Sequence, residues 1–271
     1  MKQRIWSSLS LMLMVTLTCP SSVIADEHIQ SPSQLLFCHE NEQAFPWVMT
    51  VDGESQGLDI ELLTQVSQKL NIDIDYIALP WKRCLHHLEL SKVDGAFAAS
   101  YKQERLHMGR FPVTLKGNLD ANRRIHTSGY SLYIPKNSDL GWNGETFINL
   151  TGEISIQNGF SIGDRLTALG IPVVEFQGPM ANLIKVKEAR VAGTALQTDR
   201  ADQILKQNPE LADAIEKYPI PISSKPYYLM LSFKLVRSHP DFVELLWETL
   251  AEVRDSTEME AVQADFYAQH N

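Results

Sequence analysis

Ile72-Asp73-Ile74-Asp75-Tyr76-Ile77-Ala78-Leu79, followed by Pro80-Trp81-Lys82-Arg83-Cys84-Leu85, sets the topology of this chain. From Ile72 to Tyr76 apolar and polar positions alternate, and Ile77 to Leu79 are apolar, which is the period-2 pattern of a strand with one face buried. Pro80 ends that strand and stands just before the first turn of a helix over Trp81 to Leu90, where its missing N–H does no harm. Asp94-Gly95-Ala96-Phe97-Ala98-Ala99 then reads as a strand of small residues. Upstream, Gln34-Leu35-Leu36-Phe37-Cys38 is a short apolar run that ends in the polar cluster His39-Glu40-Asn41-Glu42. Past a turn bracketed by Gly53 and Gly57, Leu58, Leu62, Leu63, Val66 and Leu70 share one stripe of a helix. The order is βαβαβ. It predicts a parallel sheet with helices on its faces and ligand groups collected at the carboxyl ends of the strands.

The second half repeats this order: strand Glu153 to Gln157, a glycine turn, helix Gly163 to Leu169, strand Pro172 to Phe176, helix Met180 to Ala189 and strand Arg190 to Leu196. Two α/β units in one chain imply two lobes. Tyr130 to Ile134 reads as the strand that carries the chain across, and Pro226 to Ser232 as the strand that brings it back. The C-terminal helices, Phe242 to Val253 among them, then rejoin the first lobe. The expected division is lobe 1 over 26–128 and 227–271, and lobe 2 over 129–226.

At the N-terminus, Lys2 and Arg4 precede an apolar run from Ile5 to Leu17 that is too short to span a bilayer, and Val23-Ile24-Ala25 offers a cleavage site. Residues 1–25 are therefore expected to be a signal peptide cut after Ala25. A lipoprotein signal on Cys19 is disfavoured by Thr16-Leu17-Thr18 before it and Pro20 after it. Loss of this leader, with its two basic and no acidic side chains, leaves 246 residues and moves the formal charge from −9 to −11. So acidic a protein has no clustered cations for nucleic acid or anionic membrane. Of the cysteines, Cys38 and Cys84 survive cleavage, and an even count in an oxidising compartment predicts one disulfide, the alternative being two buried thiols.

The motifs in this order resemble family 3 of the bacterial extracellular solute-binding proteins, the polar amino-acid type of ABC-transporter receptor, in a divergent branch. The resemblance rests on Pro80-Trp81-Lys82-Arg83-Cys84-Leu85, on Val93-Asp94-Gly95, on Ser100 to Arg105 with Phe111-Pro112, on Ile154 to Ser161, and on Tyr227-Tyr228-Leu229 with Ser232. It covers nearly the whole mature chain. It implies an α/β fold of the two-lobed periplasmic binding protein type II ("Venus flytrap") kind, each lobe a mostly parallel sheet flanked by helices, joined by two crossover strands. It also implies a monomer in the periplasm that binds a small polar ligand, with no cofactor, for an inner-membrane ABC permease or, alternatively, for a signalling partner.

The resemblance puts Arg105 where family members pair a guanidinium bidentately with a ligand carboxylate, a geometry lysine does not match. The alternative is a surface arginine. Ser100, ending the third strand, is placed to assist, and Glu40, past the first strand, to receive an ammonium or to stand as a solvated loop acid. Phe45, Trp47 and Trp81 are candidate aromatic walls or plain core. Arg83 reads as a pocket charge or as a partner for carboxylates of the closing lobe. Gly159-Phe160-Ser161 opens a helix whose free N–H groups favour an anion. Gln197 aligns where amino-acid receptors of the family carry the aspartate that binds the α-ammonium, which puts an ordinary α-amino acid in doubt. Hinges are expected near Ser128 to Tyr130 and Lys225 to Tyr227.

Enzyme readings fare less well. Gly159-Phe160-Ser161-Ile162-Gly163 matches the Gly-x-Ser-x-Gly elbow of α/β-hydrolases, but the only later histidines are His239, beside Pro240, and His270 near the terminus. A dehydratase on the same fold would use Glu175 or Glu40 as general acid. His86 and His87 are adjacent and so point about 100° apart on a helix, which does not suit a metal. No catalytic residue and no metal site is expected.

Overall fold

A computed structural model describes residues 30–270. The expected leader, its cleavage site and Cys19 lie outside the described residues. The first lobe opens with β1 (Gln34–Glu40), and a hairpin of β2 (Met49–Val51) and β3 (Glu54–Gln56) leads to α1 (Leu58–Leu70). β4 (Asp73–Leu79), α2 (Trp81–Glu89) and β5 (Gly95–Ser100) complete the expected βαβαβ unit. β6 (His126–Pro135) crosses over, followed by a small hairpin of β7 (Gly141–Trp142) and β8 (Phe147–Ile148). The second lobe runs β9 (Ile154–Gln157), α3 (Ile162–Ala168), β10 (Val173–Phe176), α4 (Pro179–Lys187) and β11 (Gly193–Gln197), then α5 (Thr198–Gln207), α6 (Pro209–Ala214) and β12 (Ile215–Lys217). β13 (Ser223–Leu231) returns, and α7 (Phe233–Ser238), α8 (Pro240–Arg254) and α9 (Thr257–His270) follow, the last two packing on α1.

Local chemistry accounts for these elements. In α1, Asp59 and Glu61 lie in the first turn and Lys69 in the last, each favourable to the helix dipole. Asn71 stops the helix in the left-handed conformation, its N–H turned back to the last carbonyls. The predicted stripe is buried at Leu58, Leu62, Leu63 and Val66. Gly57 enters the helix at φ +118°, where a Cβ would stand 2.6 Å from the Trp47 carbonyl oxygen, so only glycine fits. The strand expected from Arg190 begins instead at Gly193, because the Arg190 N–H returns to the Lys185 carbonyl and closes the end of α4.

Both lobes carry the expected parallel core. β1 lies between β4 and β5 and is parallel to both, as β9 is to β10 and β11. The two long strands join them. The first part of β13 pairs with β6, Ser223 to Tyr227 against Tyr130 to His126, and its last part pairs with β5. The far end of β6 in turn pairs with β11 and β12. Hydrogen bonding therefore runs unbroken through the order β10-β9-β11-β6-β13-β5-β1-β4, and the lobes are not separate sheets. A cleft survives because β6 and β13 change partners along their length, so the sheet curls there and its two ends face each other. Both expected hinge segments fall in this antiparallel pair, with Ser128 opposite Lys225.

Cys38 on β1 and Cys84 on α2 form the disulfide, their Cα atoms 5.8 Å apart and both side chains fully buried. Helix and strand are thus fixed beside the cleft that Trp81 lines.

Candidate functional site

The cleft, with about 30 Å³ of free space inside it, lies between the carboxyl ends of β1, β5 and β11 and the segment that follows β9. At its centre is Arg105, only 4% exposed, on the short 3-10 turn Gln103–His107 just past β5. The turn folds the side chain back on its own strand. Nη1 donates to the Ser100 carbonyl at 2.6 Å and to Ser100 Oγ at 3.1 Å, and Nη2 donates across the cleft to the Gly159 carbonyl at 3.2 Å. The guanidinium carbon lies 5.3 Å from the centre of the Trp81 ring. Among the described residues no carboxylate stands within 4.0 Å of this guanidinium. Burial pushes its pKa down, against which Tyr130, Tyr227 and the more distant Asp164 and Glu104 act.

Ser100 and Ser161 link the lobes, their hydroxyls 2.7 Å apart. Ser161 Oγ also accepts from Lys225 Nζ at 2.5 Å, and that ammonium lies 5.3 Å from the centre of the Tyr130 ring. Lys225 thus brings a second cation to the site, one that sequence reasoning assigned only to a hinge. Burial first, and then the charge of Arg105, lower its pKa to about 8. The signal was present in the sequence: on a strand, residues two apart share a face, so Lys225 goes where Tyr227 goes.

Glu40 and Gln197 also line the cleft. Glu40 Oε1 accepts from Gln157 Nε2 at 2.8 Å, and Oε2 stands 3.5 Å from Nη1 of Arg200, a residue of α5 that is 3% exposed. Burial raises the Glu40 pKa and Arg200 opposes that shift. This acid is neither free nor solvated, since it closes an ion pair between the lobes. Gln197 Nε2 donates to Tyr227 Oη at 3.2 Å, and that hydroxyl donates to Tyr130 Oη at 3.2 Å.

Four expectations meet different surroundings. Phe45 packs on the C-terminal helix, its ring centre 5.8 Å from that of Phe266, and Trp47 stacks at 4.1 Å on His126, so neither ring walls the cleft. Arg83 is exposed, because two residues after Trp81 on a helix it faces away; Lys82 reaches the other lobe instead, 3.8 Å from Glu175. The Gly159 N–H is not open to a ligand, since it donates to Glu175 at 3.2 Å, and what Gly159 gives the cleft is its carbonyl. Its φ of +78° is the left-handed geometry that suits glycine. As for the hydrolase alternative, His239 Nδ1 lies at the Gln30 carbonyl and His270 Nδ1 at the Phe266 carbonyl, neither at Ser161.

The sequence profile of the bacterial extracellular solute-binding proteins, family 3, matches residues 37–269. No curated protein sequence matches significantly. Among solved structures, an ancestral arginine-binding protein bound to glutamine superposes with a TM-score of 0.69 at 17% identity, covering 88% of this chain and 99% of that one. An amino acid ABC transporter substrate-binding protein from Streptococcus pneumoniae, bound to L-arginine, gives a TM-score of 0.66 at 16% identity over 87% and 95%. A histidine kinase sensor domain similar to periplasmic binding proteins gives 0.69 at 13% over 86% and 95%. At these identities the likeness is one of fold.

Proposed function

Because the chain belongs to family 3 of the bacterial extracellular solute-binding proteins, we propose that it captures a small, polar, carboxylate-bearing molecule in the periplasm and hands it unaltered to an ABC-type importer. The observation that supports this is the Arg105 guanidinium, buried in the cleft without a carboxylate partner. An uncompensated charge in such a place costs several kcal/mol unless an anion joins it. A ligand carboxylate supplies that anion.

In this reading the open protein meets the ligand on lobe 1, at Arg105, Ser100 and Trp81. Lobe 2, residues 129–226, then swings over on β6 and β13 and adds Ser161 and Gln197. Closure removes water from the charge pairs and reshapes the surface that a membrane partner reads. The leader of residues 1–25 is what would carry the chain to the periplasm.

A thermal-shift screen over amino acids, organic acids, oligopeptides and polyamines tests the reading, since a ligand at about 100 times its Kd stabilises by about 2.7 kcal/mol. Arg105→Ala is expected to weaken binding of any hit by at least about 30-fold, as truncating one partner of a buried charge pair costs about 2–5 kcal/mol. The variant stays folded, because the guanidinium serves the cleft and not the core. Unchanged affinity in Arg105→Ala would refute the assignment.

A further inference from the structure

We propose that the ligand is an organic acid without an ammonium group, a hydroxy, keto or dicarboxylic acid and not a zwitterionic amino acid. This rests on the binding role proposed above and specifies the chemistry of that same cleft.

The charges around the cleft carry the inference. Arg105 lines the cleft, and Lys225 stands beside that lining, the two joined through the hydroxyls of Ser100 and Ser161. The one acid in the lining, Glu40, already holds Gln157 on one oxygen and Arg200 on the other. A ligand ammonium would have to take that carboxylate from a buried arginine, leaving the guanidinium only the more distant Glu42 at 3.8 Å and the Gln157 amide, or go without a carboxylate. Most aromatic faces of the lining are already taken, Phe97 and Phe160 apart. Trp81 is covered by Arg105 and Tyr130 by Lys225, while the Tyr227 ring is stacked on His126 at 5.0 Å.

A third cation would therefore enter a site that already holds two, and like charges brought together in a dry cleft oppose binding. An anion meets the reverse situation. One carboxylate, or two on the same molecule, would meet a guanidinium and a nearby ammonium, and would offset the repulsion from Arg105 that, after burial, depresses the Lys225 pKa. Gln197, Tyr227 and Ser100 are neutral hydrogen-bonding groups suited to a hydroxyl or keto oxygen.

Calorimetry on the mature protein near neutral pH, with pairs that differ only at the ammonium, tests this: malate against aspartate, 2-hydroxyglutarate against glutamate, lactate against alanine. In at least one pair the acid is expected to bind more than about tenfold tighter than its amino acid, a difference of about 1.4 kcal/mol. Lys225→Met, which keeps the packing and removes the charge, is expected to erase most of that preference. Lys225→Gln provides the same reading should the methionine variant fail to fold. Tighter binding by the amino acids would overturn the inference and leave the binding role standing. Silence from every member of both series would overturn both.

Discussion

Lys225 ties a single proton to ligand capture. Its pKa, lowered from 10.5 to about 8, is held down by burial and by Arg105, Lys102 and Arg165, with Asp164 acting the other way. Between those two values the free folded protein binds fewer protons than the unfolded chain, so its stability rises with pH across that window. A bound anion lifts the pKa again. Affinity should therefore be flat below about pH 8 and fall above it, with proton uptake on binding, which calorimetry in buffers of different ionisation enthalpy measures. Affinity independent of pH up to 10 would exclude Lys225 from the site. Glu40 acts on stability instead. Glu40→Gln strips Arg200 of its nearest carboxylate, and should cost about 3 kcal/mol, since the charge left behind stays buried. A urea midpoint equal to that of the parent would contradict this pairing.

Among the elements, strand ends made much of the site readable. Glu40 ends β1, Ser100 ends β5 and Gln197 ends β11, so the places that the family resemblance gave Glu40 and Gln197 agree with the rule that ligands gather at carboxyl ends of parallel strands. Arg105 came from the family resemblance and Ser161 from the helix start expected after β9. Residues on loops and helices were less legible. Arg83 could have been rejected on the 100° step between helical residues, whereas the place of Phe45 depends on α9, more than 200 residues away, and no local pattern shows that. β2 and β3 are three residues each, too short for a period to register. The disulfide, by contrast, was readable from the cysteine count. With its cysteines 46 positions apart in sequence, it should contribute about 4 kcal/mol in the chain-entropy model, and reduction should lower the thermal midpoint. An unshifted midpoint would count against that contribution.

At the level of the lobes, the sequence implied two bodies joined twice, and the structure adds that the joints are part of one ladder. Sequence could not show this, because which strand a residue pairs with is set by the partner and not by its own neighbours. β6 and β13 bond to each other where both hinges were expected, so opening would bend this pair as a unit and leave the parallel cores intact. The closed form should have a radius of gyration of about 18 Å, as for any compact chain of this length, and the free protein should be larger and contract when ligand is added. Scattering curves identical with and without a saturating ligand would argue against closure.

What lies against Arg105 when the cleft is full decides the role of this guanidinium. A crystal structure with the tightest-binding acid settles it: a carboxylate oxygen is expected within about 3 Å of the Arg105 guanidinium, with Lys225 beside it. Ligand density elsewhere, with Arg105 still bonded only to Ser100 and the Gly159 carbonyl, would contradict it.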